Sequence, residues 1–125
     1  MKRVLICLLA LTAITVMLAS CSNSPSSTPN PTAPETHDVS MTNSLFSPAD
    51  ITINEGDTIR WTNNDTRTHT STSGTNGVPD GIWNSGDVTP GNTYERVFNA
   101  AGTYPYYCHY HFAMGMTGTI TVVTP

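Results

Sequence analysis

A thiol, two imidazoles and two thioethers lie within nine residues in Cys108-His109-Tyr110-His111-Phe112-Ala113-Met114-Gly115-Met116, and a further imidazole, His69, lies far upstream. Two imidazole nitrogens, one thiolate and a weak thioether are the donor set of a one-electron copper site. Thiolate and thioether favour Cu(I) and imidazole accepts Cu(II), so an ion held by all of them changes charge with little rearrangement. The spacing predicts that His69, Cys108 and His111 hold the metal in a plane and that Met116 approaches as the long axial ligand. Met114 is the alternative thioether, with packing in the loop as its other role. His109 adjoins Cys108, so its side chain is expected to point away from the metal and to be exposed.

Taken singly, Cys108 reads as a buried structural thiol, and His69 and His111 as satisfied core or surface histidines. Their joint spacing favours ligation. Structural zinc prefers closed, cysteine-rich tetrahedra, which one cysteine and a methionine do not supply. A cysteine nucleophile with His109 or His69 as base lacks an orienting Asn or Asp motif.

The elements that must position these groups read as strands. Ile51 and Ile53 alternate before the turn Asn54-Glu55-Gly56-Asp57, and Ile59 and Trp61 alternate after it. Tyr94, Arg96 and Phe98 precede Ala100-Ala101-Gly102; Tyr104, Tyr106 and Cys108 share one face of the next strand, and Ile120 and Val122 close the domain. Short strands of β-branched and aromatic residues between Gly, Asn, Asp and Pro signals predict an all-β, antiparallel sandwich. Cys108 at a strand end, His111 in the next loop, His69 after the Ile59 strand and Met116 before the last strand would then meet at one pole. Pro48-Ala49-Asp50 is expected to form at most one helical turn, and Ser73 to Gly91, with two Pro and five Gly, a long loop. Trp61, Trp83, Phe98, Tyr104 and Tyr106 are expected in the core, with Tyr107 exposed on the opposite strand face. Phe112, Ala113 and Met114 read either as an apolar docking patch or as a lid that keeps water from the metal.

The chain has 125 residues. Met1-Lys2-Arg3 precedes the nearly unbroken apolar run from Val4 to Ala19, which is short for a membrane span and fits a signal-peptide core. Leu18-Ala19-Ser20-Cys21 resembles a bacterial lipobox, so residues 1–20 read as a lipoprotein signal peptide and Cys21 as the lipid-bearing first residue. Residues 21–35, rich in Ser and Pro, read as an extended tether, and 36–125 as a single domain. The expected location is outside the cytoplasm, in the periplasm or at the cell surface, with the lipid at Cys21 as the membrane contact. Cys7 leaves with the signal, so Cys108 stays unpaired in a compartment where disulfides are normal; metal ligation explains that. The mature chain sets three arginines and no lysine against nine carboxylates, a net charge of −6. That composition excludes a nucleic-acid role, which needs basic patches, and suits a basic redox partner.

The residues Gly56-Asp57-Thr58-Ile59-Arg60-Trp61-Thr62-Asn63, His69-Thr70, Trp83-Asn84-Ser85-Gly86, Pro90-Gly91, Gly102-Thr103-Tyr104-Pro105-Tyr106-Tyr107-Cys108-His109-Tyr110-His111 and Met116-Thr117-Gly118-Thr119-Ile120 carry a resemblance. From Val39 to Val123 the chain resembles the plastocyanin-like copper domain of the cupredoxins; the block C-x2-H-x4-M-x-G is its specific part. The resemblance implies a Greek-key β-sandwich, one copper ion on His69, Cys108, His111 and Met116, and electron transfer without catalysis. It implies a monomer whose redox protein partners dock near His111, with Tyr107 marking an electron-entry route. Thr70 stands where plastocyanins carry an asparagine that donates a hydrogen bond toward the cysteine sulfur. Two rivals keep the sandwich: a copper buffer that does not turn over electrons, and a metal-free adhesion module.

Overall fold

Alternation of inward apolar and outward polar side chains builds the strands. The computed structural model describes residues 33–125. The expected signal peptide, the lipidation at Cys21 and nearly all of the tether lie outside these residues. The strands are β1 (Thr36–Thr42), β2 (Leu45–Ser47), β3 (Asp50–Asn54), β4 (Thr58–Asn63), β5 (Thr72–Thr75), β6 (Val78–Asn84), β7 (Thr93–Val97), β8 (Gly102–Tyr107) and β9 (Thr117–Val123). A single 3-10 turn, Phe112–Met114, lies between β8 and β9. β4 shows the period plainly: Ile59, Trp61 and Asn63 are buried and the residues between them half-exposed.

Two sheets form, with strand orders β2-β1-β4-β7 and β3-β9-β8-β5-β6. The all-β sandwich is as the sequence indicates, but it is not wholly antiparallel. β1 runs parallel to β4, and β3 parallel to β9. The chain leaves the first sheet at Pro48-Ala49, adds β3 to the second, and returns through Glu55-Gly56-Asp57 to lay β4 beside β1. These crossings between sheets make the two parallel pairs. Pro48 and Ala49 form a bend rather than a helical turn, and Asp50 opens β3.

The stretch Ser73 to Gly91 is likewise not one long loop. Residues of β5 and all of β6 form a hairpin around Asn76-Gly77, whose φ angles of 53° and 72° are both positive, as a type I′ turn requires.

Between the sheets lie Val39, Met41, Ile53, Ile59, Trp61, Trp83, Phe98, Tyr106, Ile120 and Val122. Trp61 is at their centre, with ring centroids 5.6 Å from Tyr94, 5.7 Å from Tyr106 and 6.1 Å from Trp83. Tyr104 packs against this core only partly buried. Tyr107, expected outside, is 2 % exposed. Phe112 of the 3-10 turn folds over the outer face of β8 and meets the Tyr107 ring edge-on at 5.6 Å. The turn converts an outer strand position into an interior one.

Candidate metal centre

The four residues singled out by the sequence gather at one end of the sandwich. Cys108 directly follows β8, and its N–H donates to the Met116 carbonyl at 3.0 Å. The His111 N–H donates to the Cys108 carbonyl at 3.3 Å, and the Met116 N–H to the His111 carbonyl at 3.2 Å. Gly115, at φ 85°, closes the 3-10 turn by donating to the Phe112 carbonyl. The loop from 108 to 116 is thus pinned by its own backbone, which sets where each side chain leaves the chain.

His69 arrives from the other sheet. Its N–H donates to the Val88 carbonyl at 3.1 Å, and the Val88 N–H returns to the His69 carbonyl at 2.8 Å. The Asn63 amide nitrogen donates to the carbonyls of Arg67 and Val88, both at 2.7 Å, tying the loop before His69 to the end of β4.

The donor atoms converge. Cys108 Sγ lies 3.7 Å from His69 Nδ1 and 3.5 Å from His111 Nδ1, and the three donors all fall within 4.8 Å of one another. The imidazole rings are 4.6 Å apart between centroids. Cys108, His69 and Met116 are wholly buried, whereas His111 keeps 8 % of its surface exposed. Met114, the alternative thioether, is 56 % exposed. His109 is exposed, as expected from its place next to Cys108.

The electrostatics favour metal-ready ligands. Burial, with His69 and Arg67 nearby, holds His111 below the ordinary imidazole range, which disfavours protonation of its ring. The Cys108 thiol is free and accepts a hydrogen bond from the Thr70 N–H at 3.4 Å. Asp65 Oδ2 lies 3.1 Å from His69 Nε2. The Thr66 N–H and the His69 ring hold the Asp65 carboxyl down at about 2. Nothing in the sequence signalled Asp65: four residues before His69 is a helical spacing, and here the two meet across an irregular loop.

The donor chemistry fits copper. One buried thiol beside two imidazoles offers a soft, water-shielded set with room for a weak thioether, not the closed, cysteine-rich cage of structural zinc.

Comparisons with known proteins agree with this geometry. The family model described as copper binding proteins, plastocyanin/azurin family, matches residues 35–123. Plastocyanin from Scenedesmus fuscus is 38 % identical over 85 residues, which cover 62 % of this chain and 86 % of that protein. The chloroplastic plastocyanin of Tetradesmus obliquus is 35 % identical over 85 residues, covering 62 % of this chain and 58 % of that longer protein. Among solved structures, a purple cupredoxin from Nitrosopumilus maritimus is similar at a TM-score of 0.62 and 30 % identity, covering 69 % of this chain and 98 % of that one. The Cu(I) form of an amicyanin variant shares the fold at a TM-score of 0.62 and 20 % identity, over 70 % of this chain and 82 % of that one. With the match running through both sheets and across the His69 and Cys108 loops, the chain belongs to the plastocyanin/azurin family of copper-binding, electron-transferring proteins.

Proposed function

We propose that this chain carries single electrons outside the cytoplasm on one copper ion held by His69 Nδ1, Cys108 Sγ and His111 Nδ1, with the Met116 thioether as the weak fourth donor. The observation that carries the reading is the buried convergence of the three strong donor atoms within 4.8 Å. Bound there, copper supplies one-electron exchange between Cu(I) and Cu(II). The pinned 108–116 loop and the paired His69 backbone keep the donors in place, so little of the protein has to move when the charge changes. Burial of Met116, with its backbone tied to both Cys108 and His111, supports it over the exposed Met114.

His111 is the one strong donor with an exposed edge, and exposed Tyr110 and Met114 lie on the same loop. A redox partner protein docks there and exchanges electrons through the His111 ring, while the chain itself remains monomeric. The acidic mature composition suits a basic partner. The apolar leader and Cys21 support a lipid-anchored protein with a Ser/Pro tether between membrane and domain.

Optical and EPR spectra of the Cu(II)-loaded protein test the site. An intense thiolate-to-copper band in the visible is expected, and Cys108→Ser abolishes it. Unchanged copper content in Cys108→Ser would mean that the sandwich does not use this thiol for metal.

A further inference from the structure

His69 has two ring nitrogens in different surroundings. Nδ1 faces the Cys108 sulfur at 3.7 Å, and Nε2 faces Asp65 Oδ2 at 3.1 Å. A carboxylate only accepts hydrogen bonds, so Nε2 carries the proton and Nδ1 keeps its lone pair toward the thiol. The loop is built to hold that carboxylate. Asp65 Oδ1 accepts the Thr66 N–H at 2.7 Å, and Oδ2 also receives the Ser44 N–H at 3.4 Å. The Asp65 N–H donates to Asn63 Oδ1 at 2.9 Å, and Asn63 in turn grips the carbonyls of Arg67 and Val88. The Asp65 side chain is only 16 % exposed, which limits screening by water. Among the described residues, no carboxylate makes an ion pair with the ring of His111. The two imidazoles of the site are therefore not equivalent: one has a carboxylate behind it.

We infer that Asp65 is a positioning residue that locks His69 in the tautomer with Nδ1 free for copper and whose negative charge favours Cu(II) over Cu(I), lowering the reduction potential of the centre. This rests on the copper reading above. A carboxylate, histidine and metal in series orient the ring and raise its basicity, and such partners commonly alter metal affinity 10- to 100-fold. A more basic imidazole, with a fixed negative charge behind it, stabilises the more highly charged ion.

Asp65→Asn removes the charge and keeps a single acceptor oxygen, which can take the place of Oδ1 toward the Thr66 N–H or of Oδ2 toward His69 and the Ser44 N–H, but not both. In the copper-loaded full chain, a tenfold loss of preference for Cu(II) over Cu(I) is expected. For a one-electron couple that raises the potential by about 59 mV. Asp65→Glu, which restores the charge, returns the potential toward wild type. Nitrogen-detected NMR of the metal-free protein gives a second readout: His69 is protonated at Nε2 in wild type, and Asp65→Ala populates the other tautomer. A potential unchanged in Asp65→Asn, or an Asp65→Ala protein with the wild-type tautomer, overturns the inference. Absence of the visible thiolate band in wild type would instead count against the copper site, and the metal-free tautomer measurement would still decide the role of Asp65.

Discussion

Thr70 shows how one residue can serve the site through its backbone. Its N–H points at the Cys108 sulfur, and its hydroxyl accepts the His109 N–H at 2.8 Å. By resemblance, Thr70 stands where plastocyanins carry an asparagine that donates a hydrogen bond toward the sulfur. In this fold the main chain of residue 70 supplies one, and the side chain ties down the residue after the ligand. Thr70→Val should therefore leave the His109 N–H without its partner and destabilise the protein by about 1–3 kcal/mol, measured by urea unfolding. Unaltered stability would show that water replaces the hydroxyl. The thioethers separate as clearly. Met116→Ala should change the EPR signature and potential of the copper form, whereas Met114→Ala should leave both unchanged; the reverse outcome would assign the axial role to Met114. The meeting of His69, Cys108 and His111 was foreshadowed in the sequence by the rarity of their chemistry and, for Cys108 and His111, by tight spacing; distant His69 had to be brought in by the fold. Asp65 was not foreshadowed, because an aspartate in a polar loop has no pattern of its own and its role appears only when the loop closes on His69.

At the scale of elements, the turn formed by Gly56 and Asp57 joins the two sheets. Asp57 Oδ1 accepts the Glu35 N–H and Oδ2 the Asn54 N–H, both at 2.9 Å, and Oδ2 also meets His37 Nε2 at 2.9 Å. Burial pushes its carboxyl upward, but the amides of Glu35 and Asn54 and the His37 ring outweigh that and hold it below the ordinary value. A depressed carboxyl contributes stability that is present above the unfolded value, about 3.9, and lost as pH falls through the lower folded value. Asp57→Asn should thus cost about 2 kcal/mol at neutral pH and flatten the acid limb of the stability profile. An acid limb as steep as wild type would assign that transition to other carboxylates. The strands carrying Ile51, Ile59, Tyr104 and Ile120 were readable from alternation. β5 and β6 were not, because Thr, Ser, Gly, Pro and Asp dominate them and they look like loop. The Asn76-Gly77 pair was the available signal. Tyr107 escaped for a related reason: strand alternation says which face a residue takes, but not that Phe112 will return to cover that face.

For the molecule as a whole, the metal pole depends on the core beneath it. Trp61 contacts three aromatic rings contributed by both sheets, so Trp61→Ala should cost about 3–5 kcal/mol. The all-β sandwich was legible in the sequence from turn chemistry and the Gly56-to-Trp61 and Gly102-to-Cys108 patterns. The parallel pairing of β1 with β4 and of β3 with β9 was not, since no local pattern reports which sheet a strand joins after a crossing. Copper that binds the native state alone should add about 2.7 kcal/mol at a free concentration 100 times the dissociation constant, seen as a raised Tm. The account stands or falls on electron exchange at the pole, and voltammetry of the copper-loaded chain measures that directly. A reversible one-electron couple, absent in Cys108→Ser, is the result expected; copper retained tightly with no reversible couple would contradict it and make the protein a metal buffer.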